Sequence, residues 1–289
     1  MQTILLNRNS KYYLPAIGIF LLSACATKLK ETKDSVYSRH LQKHIDLTII
    51  STPVPKEKNS FNLLLLNDGQ DIEKLRVKKI TDSLYNKNVL QPLLIVAINP
   101  PDRLQEYGVA GYADHQNNGA SAEKYAAFID DELYPFIKKR AGVRKFNSIT
   151  IAGWSLGGLS ALDIAWDHAD KIDKVGVFSG AFSYTNKGNP ASNDPDDNGR
   201  IIFNKIRSSR KKPHLTYWFY ASGDTESADR KKDDSNDALD DTRDLVELIR
   251  KKNVSAPQDI IYTEIKEGKQ DYNSWSTVFP AFLIWADGK

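Results

Sequence analysis

Apolar residues recur along this chain in two patterns. Short continuous runs at Phe61–Leu66 and Leu93–Ile98 suit strands covered on both faces, where no position meets water. Ile45-Asp46-Leu47-Thr48-Ile49-Ile50 alternates with period two and suits an edge strand. Phe146–Ala152, Lys174–Phe178, Leu215–Ala221 and Ile260–Ile265 are further strand-like runs. Between them lie longer stretches with helical spacing. In Ala122–Arg140, the residues Tyr125, Phe128, Ile129, Leu133, Phe136 and Ile137 fall on one face. Gly158–Trp166, Ala238–Lys252 and Ser274–Trp285 also read as helices. Strands alternating with helices predict an α/β fold with a mostly parallel central sheet and helices on both faces. In such a sheet the ligand site lies outside the carboxyl ends of the strands.

The N-terminus departs from this pattern. Arg8 and Lys11 make a positive start, and Tyr12–Leu22 is an apolar stretch too short to span a bilayer as a mature helix. It ends in Leu22-Ser23-Ala24-Cys25, which resembles a bacterial lipobox, where the cysteine becomes the lipidated first residue. Residues 1–24 are therefore expected to be a lipoprotein signal peptide. Residues 25–38, polar and rich in lysine, are expected to be a tether. Residues 39–289 are expected to be one α/β domain, since no Gly/Pro/Ser-rich linker interrupts them. Cys25 is the single cysteine of the 289-residue chain, so no intramolecular disulfide forms. The formal charge of +3 gives no reason to expect a nucleic-acid partner. Resemblance to other lipoproteins, with Ala26 rather than aspartate after the cysteine, implies a lipid-anchored protein of the bacterial envelope, on the outer membrane.

Gly153-Trp154-Ser155-Leu156-Gly157 carries the chemistry. It matches the nucleophile elbow G-x-S-x-G, in which a serine sits on a strained turn between a strand and a helix, its hydroxyl exposed above the sheet. The strand-like run before it and the helix-like run after it supply the context that motif requires. The glycines leave room for a tight backbone. Ser155 is the candidate nucleophile. The Leu156 N–H is the candidate first donor of an oxyanion hole.

Further landmarks resemble the esterase family that includes enterochelin esterases, esterase D, feruloyl esterase domains and mycolyltransferases. They are Leu63-Leu64-Leu65-Leu66-Asn67-Asp68-Gly69-Gln70, Arg103-Leu104-Gln105-Glu106-Tyr107, Asp131-Glu132-Leu133-Tyr134-Pro135-Phe136-Ile137 and Val177-Phe178-Ser179-Gly180-Ala181-Phe182, beside the elbow. The resemblance runs from about Arg39 to the C-terminus. It implies an α/β-hydrolase fold, no cofactor, and a triad in the order serine, acid, histidine. It also implies a second oxyanion donor near Gln70 or Asp71. The acid belongs in Ser222-Gly223-Asp224-Thr225-Glu226: Glu226 is first choice by register, Asp224 the alternative.

The base belongs in Glu267-Gly268-Lys269-Gln270-Asp271-Tyr272-Asn273-Ser274-Trp275, where relatives carry histidine followed by aromatic residues. Here Gln270 stands at that position. Glutamine hydrogen-bonds but does not accept a proton at neutral pH. Of the five histidines, His40 and His44 precede the first strand, His168 ends the helix after Ser155, and His214 precedes its strand. His115 alone lies in a long loop, 99–121, that leaves the carboxyl end of a strand. It is the candidate substitute base or ligand contact. Trp154 and Tyr272 are candidates either for lining the pocket or for packing.

Asp194-Pro195-Asp196-Asp197-Asn198-Gly199 matches the first half of an EF-hand loop, but Lys205 stands where a bidentate glutamate belongs. Asp233–Asp244 lacks the turn glycine, and no metal is expected. Two functions fit. One is a serine carboxylic-ester hydrolase acting on a siderophore, glycan or small acyl ester. The other is a degenerate envelope lipoprotein that binds such an ester without turning it over.

Overall fold

A computed structural model describes residues 28–53, 60–185, 199–223, 237–266 and 268–289. The strands are β1 (Lys30–Ser38), β2 (Lys43–Ser51), β3 (Asn62–Leu66), β4 (Leu93–Asn99), β5 (Ile149–Trp154), β6 (Lys174–Phe178), β7 (Thr216–Ser222) and β8 (Ile260–Ile265). The α-helices are α1 (Val77–Asn86), α2 (Arg103–Glu106), α3 (Ala122–Ala127), α4 (Tyr134–Ala141), α5 (Leu156–Asp167), α6 (Ile201–Ser208), α7 (Asp237–Lys252) and α8 (Tyr272–Asp287). The strands form one sheet in the order β1-β2-β4-β3-β5-β6-β7-β8. β1 and β2 pair antiparallel, as do β2 and β4, and every pairing from β4 to β8 is parallel.

The alternation of strand side chains divides the core in two. Leu63 and Leu65 point toward α3, α4, α5, α6 and α7, while Leu64 and Leu66 point toward α1 and α8. Helices thus cover both faces, and β3 is buried at all five positions. Among the described residues no helix is long and apolar enough to cross a membrane.

Two expectations at the N-terminal end fail. Residues 30–38, expected to be tether, form β1, paired with β2 from Lys30↔Ser51 to Ser38↔Lys43. β2 is therefore an inner strand rather than the edge. β1 is polar because it is the edge: lysines and acids along an exposed strand block pairing with another chain, and pairing with β2 needs no apolar pattern. Residues 122–141 are helical as expected, but they widen into a π-helical stretch over Phe128–Leu133. Pro135 follows directly. It has no N–H for the Asp131 carbonyl, a known cause of such a bulge. Cys25, Asp224, Glu226, residues 194–198 of the first acidic stretch and residues 233–236 of the second lie outside the described residues. Among the described residues no group of histidine, cysteine and acidic side chains could hold a metal ion.

At the amino end of the parallel strands, α8 closes on the sheet through Asp287, whose carboxylate accepts from Asn62 Nδ2 at 3.0 Å. Lys174 Nζ donates to the neighbouring Ala286 carbonyl at 2.5 Å. Burial lifts the Asp287 carboxyl from 3.8 to about 6, against the pull of Asn62 and Lys174. The native state therefore holds this proton more tightly than the unfolded chain. The resulting stability is full below pH 3.8 and is lost as pH rises through about 6. Each tenfold in proton affinity is roughly 1.4 kcal/mol, so the loss is about 3 kcal/mol. Asp287→Asn keeps the acceptor and removes the charge. Denaturant melts should show the variant more stable than the parent at pH 8 by about 2–3 kcal/mol, with no gain at pH 4. A variant less stable at pH 8 would mean that the ionised carboxylate is a net stabiliser.

Candidate active site

Ser155 joins β5 to α5 with φ 52° and ψ −124°, a backbone rarely adopted by a residue with a side chain. Two close approaches fix it. A Cβ on Gly153 would lie 2.5 Å from the carbonyl carbon and oxygen of Gly157, so the last turn of β5 and the first turn of α5 cross backbone to backbone. A Cβ on Gly157 would collide with the Asp68 carboxylate. β6 and the loop after it add hydrogen bonds: the Ser155 N–H donates to the Phe178 carbonyl at 2.9 Å, and the Ser155 carbonyl accepts from the Ala181 N–H at 3.1 Å. Ser155 is half-buried, and among the described residues its hydroxyl makes no hydrogen bond.

Leu156 opens α5, where the first backbone N–H groups have no partner within the helix. The second oxyanion donor was placed at Gln70 or Asp71, and the structure separates the two. The Asp71 N–H is spent on the Asp68 carbonyl at 3.0 Å, so Asp71 is not a donor to substrate. Among the described residues the N–H groups of Gly69 and Gln70 are uncommitted at the start of the short 3₁₀ turn Gly69–Asp71. The Asp71 carboxylate instead accepts from Lys74 at 2.8 Å and from Gln70 Nε2 at 3.3 Å. Lys74 Nζ in turn sits 4.5 Å from the centre of the Tyr272 ring.

The segment carrying Gln270 enters the same edge of the sheet. Ser222, at the end of β7, donates through Oγ to the Lys269 carbonyl at 3.0 Å. The Gly223 N–H donates to the Ile265 carbonyl at 2.9 Å. The start of the expected acid loop and the segment bearing residue 270 are thus tied together. Asp271 caps α8, accepting from the Ser274 N–H at 2.8 Å. That bond, with a second from Asn273, holds the Asp271 carboxyl below the usual carboxylate range. One turn on, Trp275 stacks on Trp154 at 6.2 Å and donates through Nε1 to Ser179 Oγ at 3.2 Å. Tyr272 meets Trp275 edge to face at 5.7 Å. Gln270 is half-buried, and among the described residues its side chain makes no hydrogen bond.

This geometry sorts the remaining candidates. Trp154 is buried in the core layer beneath α8 and packs rather than lining a pocket. Tyr272 is half-buried and bridges that layer to Lys74. His115 is exposed, and its loop is organised by its neighbour: Asp114 Oδ1 accepts from the N–H groups of Gln116 at 2.8 Å and Asn118 at 2.7 Å. His40 pairs with Asp131, His44 with Ser35, and His168 with Asp130. His168 caps the far end of the twelve-residue α5, about 18 Å along its axis from Ser155. Among the described residues no histidine hydrogen-bonds to Ser155. Sequence reasoning passed over Asp68, Arg103, Tyr107 and Tyr125. Asp68, Arg103 and Tyr107 stood in motifs quoted only as landmarks, and the pairing that gives them a role is long-range.

The strained Ser155 turn and the uncommitted N–H groups of Leu156, Gly69 and Gln70 lie together at the carboxyl ends of the parallel strands. In Bacillus subtilis (strain 168), the “Uncharacterized protein YbbA” is 25% identical over 135 residues, which is 45% of this chain and 54% of that protein. The enterobactin esterase FES from Shigella flexneri superposes with a TM-score of 0.67 at 17% identity, over 90% of this chain and 61% of that one. A ferulic acid esterase superposes with a TM-score of 0.67 at 18% identity, over 90% of this chain and 98% of that one. The chain thus spans under two thirds of the length of YbbA and of the Shigella enzyme. At such identities the structural likeness speaks for the α/β-hydrolase fold. The family model described as “Putative esterase” matches residues 38–286, nearly the whole of the fold, and the chain belongs to this Esterase family.

Proposed function

We propose that this protein is a serine-type carboxylic-ester hydrolase in architecture, with turnover held low by Gln270. The observation that carries the reading is the combination at one sheet edge of a strained, half-buried Ser155 and uncommitted donors at Leu156 and Gln70. An ester carbonyl placed there has its oxygen among donors that stabilise a tetrahedral oxyanion, while Ser155 Oγ faces the carbon. Among the described residues no histidine hydrogen-bonds to Ser155 to take its proton. Losing the base of such a triad costs roughly 10⁴- to 10⁶-fold in rate and leaves the oxyanion hole to bind. The substrate belongs to the ester class, and the relatives' names suggest a siderophore or a hydroxycinnamoyl ester. In the envelope such a protein retains or slowly hydrolyses its ligand.

Gln270→His supplies the missing imidazole in a segment already fixed by Ser222, Asp271 and Trp275. Hydrolysis of p-nitrophenyl acetate should rise at least ~10²-fold, and Ser155→Ala should remove the gain. The parent chain should label poorly with a fluorophosphonate probe and the variant readily. A folded Gln270→His protein that stays inert would refute the assignment of residue 270. Brisk parental turnover abolished by Ser155→Ala would show that another base acts.

The lipid anchor rests on Leu22-Ser23-Ala24-Cys25. In a Gram-negative host, the chain should take up labelled palmitate and fractionate with outer membranes. Cys25→Ala should abolish both. Membrane recovery unchanged in Cys25→Ala would overturn the anchor.

A further inference from the structure

The connection between β3 and α1, residues 67–76, is held at more points than its length requires. Asp68 has a left-handed backbone, φ 59° and ψ 46°, and its side chain is fully buried. Its N–H donates to Tyr107 Oη at 2.8 Å, and its carbonyl accepts from the Asp71 N–H at 3.0 Å. Its carboxylate accepts from Arg103 Nε at 2.6 Å, Arg103 Nη2 at 3.2 Å and Gln70 Nε2 at 3.0 Å. Beside it, Tyr125 Oη donates to Asn67 Oδ1, and Asn67 Nδ2 donates to the Gly157 carbonyl, both at 2.8 Å. Burial lifts the Asp68 carboxyl above the usual range against the pull of Arg103, so the site bears a desolvation cost.

Buried ion pairs are often no more stabilising than apolar replacements, and non-glycine residues in left-handed geometry cluster at functional sites. Here both features fall on one residue, and its position is specific. On one side the Asp68 carboxylate lies against Gly157, the residue after Leu156. On the other, Asp68 begins the turn whose Gly69 and Gln70 N–H groups are uncommitted. We propose that Asp68 and Arg103 are positioning residues for the oxyanion hole: their ion pair sets the spacing between the Gln70 and Leu156 N–H groups. Tyr107 fixes the Asp68 peptide from below. This deepens the ester-site reading and rests on it.

Phenylboronic acid is the probe, because it tests the hole without turnover. Ser155 Oγ adds to boron as its proton leaves to solvent, and the resulting tetrahedral boronate anion turns one of its B–OH oxygens toward the two donors. The parent chain should bind it. Arg103→Ala should raise Kd at least about tenfold, since a displaced donor loses most of its value in such sites. Asp68→Asn should do the same. Arg103 is partly exposed, so added methylguanidinium can reach the vacated place and should restore most of the affinity to Arg103→Ala. In the Gln270→His background, Arg103→Ala should lower kcat about 10²-fold with KM changed by less than about threefold. The proposal is overturned if the parent does not bind the boronate. It is also overturned if folded variants keep parental Kd, or if the loss in Arg103→Ala is indifferent to methylguanidinium. An inert Gln270→His protein whose boronate affinity still depends on Arg103 would refute the turnover reading and leave this one standing.

Discussion

The backbone crossing of Gly153 and Gly157 is the constraint on which the site depends. Strand β5 and helix α5 meet there without side chains between them, and Ser155, trapped in the turn, takes a conformation it would not adopt alone. Strain of this kind persists only where the surroundings over-determine it. The surroundings here are β6, which accepts the Ser155 N–H at Phe178, and the loop after it, which donates to the Ser155 carbonyl through Ala181. The two buried layers hold β5 and β6 in register, Thr150↔Lys174 to Trp154↔Phe178. Apolar packing thus fixes the sheet, the sheet fixes the crossing, and the crossing exposes the serine.

Polar groups take over above the sheet edge, where the chain leaves regular structure. Asn67, Asp68, Arg103, Tyr107 and Tyr125 join the ends of β3, α2 and α3 to the first turn of α5 through buried and, at Arg103, part-buried hydrogen bonds. Lys74, Asp71 and Tyr272 link the same loop to the start of α8. Hydrogen bonds in such low-dielectric surroundings are expensive to leave unmade, so each partner fixes the next. A network with these properties defines one geometry for the loops, which hydrophobic contacts alone would leave adjustable.

Much of this was legible from the chain, and the limits have physical causes. The strands from β3 to β7 announce themselves because a doubly covered strand is buried along its length and so largely apolar. The elbow is legible because only glycine tolerates the crossing at positions 153 and 157. β1 was not legible: an edge strand needs a partner's backbone, not an apolar pattern, and Lys30–Ser38 looks like any polar segment. Trp154 was open because its ring could have turned either way, and its stacking on Trp275 comes from a residue more than a hundred positions distant. Asp71 failed as a donor for a local reason: the 3₁₀ turn spends its N–H on Asp68. The Asp68–Arg103 pair joins positions 35 residues apart, and no local pattern records it.

The same rigidity bears on what a glutamine at position 270 means. A degenerate site that had lost all constraint would be expected to lose the costly parts first, among them a left-handed Ser155, a left-handed Ser179 and a desolvated Asp68. All three remain. Glutamine resembles histidine in reach and keeps a hydrogen-bond donor and acceptor, and the segment that bears it is held by Ser222 and capped by Asp271. On the proposed reading, glutamine at this position offers no proton acceptor, while the backbone donors at Leu156 and Gln70 do not depend on it. Binding in such a site depends on the oxyanion hole and the loops, whereas hydrolysis depends on both of these and on the base. On the proposed reading, a protein so built separates the two requirements: a site shaped for an ester, with no imidazole at position 270 to take the proton.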